Sequence, residues 1–332
     1  MDKLRGTREQ IQALRSVVDD ARTCLDELRS RMDAMSKAIR CTPLGPDELL
    51  VRTNAGFYLV VPTWNIDVAI GVIRDGVIEP WTNAVVSHTL KRGDVFVNVG
   101  ANYGYYAALG AHTVGSEGAV YAVEANPHIF VYLLKSIWWT GCPGVIRPFQ
   151  FAAYSETVPE IKLVFDRQFL GGGSVIGAAA IEGSNELIPW RADNIVKMVN
   201  ERREWQLHGL FTTVTTEGRR LDDTLPTERP VRLMMLDIEG AEPNAILGAR
   251  ELIRRSPGIE IVMEWWHGHY DNPERRPAID AMWDFLLDDR KLKPHRICHE
   301  GYREGEMPRL EPLTREGLFK IPHGDVFLRN AA

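Results

Sequence analysis

A chain of 332 residues with 45% hydrophobic and 25% charged content is long enough to bury a large core, and its composition forces no disorder. The formal charge of -6 is uneven: the first 45 residues carry nine basic and seven acidic groups, leaving thirty basic against thirty-eight acidic in the remainder. A net acidic body is a poor partner for nucleic acid, where phosphate neutralisation dominates affinity, and no apolar run approaches the ~18 residues of a membrane span.

The first element is a heptad pattern. Leu4, Ile11, Val18, Leu25, Met32 and Ile39 recur every seven residues, with Leu14, Ala21, Leu28 and Met35 at the second seam position, which predicts a coiled-coil oligomerisation helix over residues 1–42. Arg15, Arg22 and Arg29 each precede an Asp by four residues, pairs that support the helix itself. β-branched residues at several first seam positions favour two strands, whereas Val17, Cys24 and Ala38 widen the stripe and suit three, so residues 4–39 are expected to join a dimer or a trimer.

The run TPLGPDE after Cys41 is a hinge. Residues 46–92 then read as a cap: a β-hairpin over Leu49 to Val61, turning at Asn54 to Gly56, and two short helices. The body follows over residues 93–332. Val95, Val97 and Val99 form a buried parallel strand, Gly100 and Gly104 bracket a turn, and a helix runs from about Tyr103 to Thr113. A second strand ends at Glu124, where a carboxylate can accept hydrogen bonds from vicinal ribose hydroxyls. The turn reads G-A-N-Y-G rather than G-x-G-x-x-G, which disfavours a dinucleotide, and Asn102 offers an amide to an amino-acid group such as that of S-adenosylmethionine.

Residues 168–210, containing LGGGSVIGAAAIEGS and Trp190, read as an inserted substrate loop. The block VRLMMLDIEGAE, Val231 to Glu242, is an apolar strand breaking at Asp237 into a turn and a helix. Ligands of open parallel sheets sit at the carboxyl ends of strands, so Asp237 and Glu239 are expected in one crevice with Asn98, Gly100 and Glu124, while Glu242 is expected as a solvated first-turn acid.

The ordered blocks IEPWT (Ile78 to Thr82), GDVFVNVGANYGYY (Gly93 to Tyr106), VYAVEANP (Val120 to Pro127), RRLDDTL (Arg219 to Leu225) and MLDIEGAEPNAILGA (Met235 to Ala249) resemble the FkbM family of S-adenosylmethionine-dependent methyltransferases. The resemblance covers roughly Leu50 to Glu264, with weaker agreement over His323 to Leu328. It implies an α/β, class I (Rossmann-like) methyltransferase fold with a seven-stranded, mostly parallel sheet whose last strand is antiparallel, and O-methylation of sugars, glycans or natural products. Carried over by position, Glu79, Asn98, Gly100, Asn102, Gly104, Glu124 and Asp237 are the implied cofactor contacts, with Ala101, Ala125, Asn126 and Ala152 beside them. Where this family usually has an Asp, this chain has Asn98, which keeps an acceptor but removes a charge.

Methyl transfer to an alcohol needs a proton acceptor. The segment after the apolar strand Ile259 to Met263 supplies His267 as the expected base, with His269 second and Asp237 beside them. Trp265 and Trp266, with Trp190, are the expected platform for a flat sugar face. An alternative has Asp237, Glu264 and His267 hold a divalent metal against a sugar diol. Cys24, Cys41, Cys142 and Cys298 form no C-x-x-C pair and no metal-ligand spacing, which suits reduced thiols in a cytosol, and no secretory leader is expected. The expectation is therefore a cytoplasmic enzyme with a carbohydrate or glycolipid acceptor, peripheral to the inner membrane only through a partner, against a natural-product methyltransferase or a non-catalytic partner of a glycan-assembly enzyme.

Overall fold

A computed structural model describes residues 40–65, 68–166, 211–265, 273, 275–321 and 323–330, together with Val18, Arg22, Thr23, Leu25 and Glu27. The chain divides into two compact units, Met1–Thr42 and Pro43–Ala332. In the first, those five residues are helical, and the seam residues Val18 and Leu25 are 48% and 56% exposed. Among the described residues no helix is long and apolar enough to cross a membrane. The inserted segment 168–210 lies outside the described residues.

After a short strand β1 (Cys41–Pro43) comes an antiparallel hairpin, β2 (Glu48–Arg52) and β3 (Tyr58–Pro62), with Leu50 opposite Val60. Its turn is closed by Thr53 Oγ1, which donates to the Phe57 carbonyl at 2.9 Å. Two short helices follow as expected, α1 (Val68–Asp75) and α2 (Pro80–Thr89). The main sheet then alternates strands and helices: β4 (Val95–Val99), α3 (Tyr105–Val114), β5 (Ala119–Glu124), α4 (Pro127–Trp139) and β6 (Ile146–Gln150). Asn126 starts α4 by accepting from the His128 amide at 3.0 Å, and Pro127 fits the first helical turn because its missing N–H would have no partner there.

A side sheet of β7 (Ala152–Ala153), β8 (Val158–Asp166) and β9 (Phe211–Arg219) intervenes. The short helix α5 (Leu221–Thr224) leads to β10 (Leu233–Leu236), followed by α6 (Glu242–Leu247), α7 (Arg250–Arg254) and β11 (Glu260–Trp265). Helix α8 (Arg276–Trp283) runs into a π-helical turn, Asp284–Asp289, before β12 (Lys293–Cys298), β13 (Arg309–Pro312), α9 (Arg315–Leu318) and β14 (Gly324–Arg329).

The main sheet has the order β13-β12-β14-β11-β10-β4-β5-β6. Strands β11, β10, β4, β5 and β6 are mutually parallel, and β14 runs antiparallel to both β11 and β12. Eight strands stand where seven were expected, because β13 adds an antiparallel edge strand to β12. One sheet face builds the main core from Val95, Val97, Val99, Met234, Leu236, Ile261, Met263, Trp265, Val326 and Leu328. The other face receives α3 so closely that a β-carbon on Gly110 would stand 2.4 Å from the Phe96 ring.

Candidate active site at the carboxyl ends of the parallel strands

The turn after β4 is built by conformations that a side chain resists. Gly100 and Gly104 have φ of 81° and 93°, and a β-carbon on Gly100 would lie 1.9 Å from the Asp237 carbonyl oxygen, backbone against backbone. Asn102, between them, is left-handed at φ 50°, a conformation that asparagine tolerates better than most residues. The Gly100 and Ala101 amides both donate to the Val123 carbonyl at 2.9 Å, which ties the turn to the end of β5. Glu124 completes the tie: its carboxylate accepts from the Asn102 and Asn126 amides, each at 2.8 Å. Burial raises the Glu124 carboxyl above its ordinary range, and the amides of Asn126, Asn102 and Ala125 oppose that rise. The Asn102 side chain, expected to face a ligand, accepts from the Tyr103 amide at 2.8 Å. Asn98 is 1% exposed, and its Oδ1 is buried with no hydrogen-bond partner among the described residues.

Strand registers place a second set of polar groups beside this turn. Leu236 is level with Met263, and Glu264 is level with Asp325, so Asp237, just past β10, stands abreast of Glu264 on β11 and Asp325 on β14. Because Leu236, Met263, Trp265 and Val326 face the main core, alternation sends these three carboxylates to the opposite face, which Asn98 shares. Glu79 meets them from the start of α2, held in a left-handed conformation at φ 39° and accepting from the Tyr106 hydroxyl at 2.9 Å. Thr82 donates to Asp325. A cleft here is lined by Glu79, Trp81, Asp237, Glu264, Arg296, His299, His323 and Asp325.

So many carboxylates in one cleft oppose one another's ionisation. Burial first, and Asp325 second, push the Glu79 carboxyl up to about 8, while the Tyr106 hydrogen bond and His323 pull the other way. Asp237 and Glu264 are raised well above the carboxylate range by burial and then by their acidic neighbours, and burial also raises Asp325 against the Thr82 hydrogen bond. A positive charge in this cleft would therefore be strongly favoured.

The expected residues divide. Asn98, Gly100, Ala101, Asn102, Gly104, Glu124 and Asp237 gather around the ends of β4, β5 and β10, and Glu79 joins the carboxylate cleft. Ala125 packs against a small cluster that includes Ala152 of β7, and Asn126 caps α4. His267, His269, Trp266 and Trp190 lie outside the described residues. Trp265 is no platform: it is fully buried, its Nε1 donates to the Leu318 carbonyl at 2.7 Å, and its ring lies 4.9 Å from that of Trp283. Glu242 is not solvated either, since it is 1% exposed and accepts from the Ile238 amide at 3.1 Å. Among the described residues, no three His, Cys, Asp or Glu side chains converge as metal ligands. Sequence reasoning missed Trp81, Asp325 and His323, although Trp81 sits inside the IEPWT block and His323 and Asp325 inside the closing HGDVFL strand.

A parallel sheet with a glycine turn after its first strand and acidic residues at the neighbouring strand ends defines a Rossmann-like enzyme. Residues 98–303 match the FkbM methyltransferase domain, more than half the chain, and the chain belongs to that family of methyltransferases. No curated protein matches it. Among solved structures it resembles a protein designated an rRNA methylase from Clostridium thermocellum, at 11% identity and TM-score 0.40, covering 76% of this chain and 94% of that one. It also resembles a SAM-dependent O-methyltransferase from Thermotoga maritima, at 16% identity and TM-score 0.37, covering 87% and 79%. A third is the O-methyltransferase TomG of tomaymycin synthesis from Streptomyces achromogenes, at 11% identity and TM-score 0.37, covering 81% and 97%.

Proposed function

We propose that this methyltransferase uses S-adenosylmethionine to methylate a hydroxyl of a sugar or glycan, with a surface polysaccharide or glycolipid as the acceptor class. The residues of the turn suit that cofactor. Gly100 lets backbone approach closely, the Asn98 Oδ1, unpaired among the described residues, is an acceptor for an ammonium donor, and the Glu124 carboxylate, with three amide donors, keeps lone-pair capacity for a ribose hydroxyl. When bound, the cofactor supplies an electrophilic methyl group on a sulfonium, and the neighbouring carboxylates favour that positive charge.

Acceptor binding falls to the far side of the cleft. The half-buried Trp81, whose ring lies 5.4 Å from that of His299, replaces Trp265 as the flat apolar surface. The carboxylates and Arg296 give the rim the mixed acceptors and donors that a polyhydroxylated ligand pairs with. The observation that carries the reading is this juxtaposition: a nucleotide-type turn on β4 and β5, and an indole with a carboxylate row immediately beside it.

In the same proposal, residues 4–39 join two or three copies through the heptad seam, and a glycan-assembly protein holds the otherwise cytoplasmic enzyme at the inner membrane. Incubation with methyl-labelled S-adenosylmethionine and glycan extracts of the source cell, followed by mass analysis, tests class and acceptor together. Label on a sugar oxygen supports the reading, and label confined to small natural products moves it to that alternative. Absence of heat in calorimetry at high-micromolar cofactor would replace it with a non-catalytic partner role.

A further inference from the structure

Because β14 runs antiparallel to β11, its beginning reaches the carboxyl ends of the parallel strands, and the chain just before it stands at the cleft. His323 occupies that position. Its Nε2 lies 2.8 Å from Glu264 Oε1, while its side chain remains 62% exposed. Among the described residues the other Glu264 oxygen is buried with no hydrogen-bond partner, and His323 is the group that pairs with this carboxylate. The pair is faced by Asp325 and Gly324 of β14, Asp237 after β10, Glu79 at the head of α2, and Arg296 and His299 from β12 and its exit.

We propose, resting on the reading as an O-methyltransferase, that His323 is the proton acceptor of the reaction and that Glu264 is its positioning residue. With the Nε2 hydrogen donated to Glu264 Oε1, the lone pair of the ring is on Nδ1. His323 Nδ1 takes the hydroxyl proton of the acceptor as that oxygen forms its bond to the methyl carbon and the carbon–sulfur bond breaks, leaving its electron pair on sulfur. Charge balances: one positive charge disappears at sulfur and one appears on the imidazole. The His323 ring shares the cleft with the carboxyl groups of Glu79, Asp237 and Asp325, which favour the positive charge that forms on the imidazole. The exposed side of the ring then returns the proton to water.

Burial, followed by Glu239, Glu242, Asp325 and Glu79, raises the Glu264 carboxyl well above its ordinary range.

The test combines kinetics with a measurement on the resting protein. His323→Gln is expected to lower kcat by ~10²–10⁴-fold, the range of a lost general base, with cofactor affinity unchanged within about twofold by calorimetry. Retention of more than about a tenth of wild-type kcat in His323→Gln would overturn the assignment. If the wild-type enzyme methylates no hydroxyl at all, the O-methyltransferase reading itself falls, and the base falls with it; an active wild type with an equally active variant removes the base alone. Nitrogen-15 NMR of ring-labelled wild-type protein supplies a readout independent of turnover: the Nε2–H tautomer is expected at the pH of maximal activity, and an Nδ1–H tautomer overturns the proposal even where a variant fails to fold.

Discussion

Replacing Gly100 by alanine tests whether the turn is held by backbone geometry. The residue has φ 81°, and its β-carbon would lie 1.9 Å from the Asp237 carbonyl oxygen and 2.9 Å from the carbonyl carbon. Neither atom belongs to a flexible side chain, because Asp237 directly follows β10 and its amide donates to the Val99 carbonyl at 3.1 Å. The left-handed conformation costs a β-carbon ~1–2 kcal/mol, and forcing two strand ends apart adds ~1–3 kcal/mol, a total of about 2–5 kcal/mol. At a few degrees per kcal/mol for a domain of this size, the melting temperature falls by ~5–15 °C. Gly56→Ala provides the control, since it shares a left-handed φ of 91° but meets nothing within 4 Å, so only the conformational cost of ~1 kcal/mol remains. Thermal melts and calorimetry with S-adenosylmethionine measure both variants. A Gly100→Ala protein that melts with the wild type and binds the cofactor equally well would refute the reasoning.

The platform role expected of Trp265 should fall instead to Trp81. Trp265→Ala is expected to cost ~3–5 kcal/mol in denaturant unfolding because it empties a core site, whereas Trp81→Ala keeps most of the stability and raises the acceptor KM by ~10-fold or more. Glu79 makes stability depend on pH. Its folded value of about 8 lies above the ordinary 4.5, so between those values the folded state holds a proton that the unfolded chain has released, and the contribution is favourable at low pH and lost as pH rises through about 8. Discounted for its partial exposure, the effect is ~1–3 kcal/mol, and Glu79→Gln should flatten the melting temperature between pH 5 and 9. Removal of residues 1–40 is expected to leave a folded methyltransferase domain of monomeric mass by light scattering, and an unchanged mass ratio would place assembly elsewhere.

Most of the turn after β4 is legible in the sequence because local rules suffice there. An apolar strand, a turn whose glycines have positive φ, and an acid at the end of the next strand are neighbours in sequence, and the sheet keeps them neighbours in space. Even here the reading was incomplete, since the first partners of Glu124 are the Asn102 and Asn126 amides and those of the Asn102 side chain are in its own turn. In β11, Trp265 was grouped with the aromatic residues after it. The period-2 rule, carried one residue further, puts Trp265 on the face of Ile261 and Met263 and Glu264 on the other, with Val262. Glu242 was read from its helical position alone, which cannot reveal that its carboxylate turns back to the Ile238 amide.

The acceptor half was illegible for a topological reason. Parallel strands deliver their carboxyl ends to the crevice, and a search along the sequence for acids just after apolar runs finds Asp237 and Glu264 but passes over residues before a strand. An antiparallel strand inverts that rule, because its start lies at the crevice while its end lies at the opposite edge. Asp325 and His323 precede the apolar part of β14, and only the pairing of Glu264 with Asp325 brings them to the site. The two halves of the site therefore follow from the two strand directions: the parallel strands β4 and β5 bring the turn and Glu124, and the reversal at β14 closes the acid row and brings the His323 imidazole to it. A sheet with β14 parallel would keep the turn after β4 and lose the imidazole proposed as the proton acceptor.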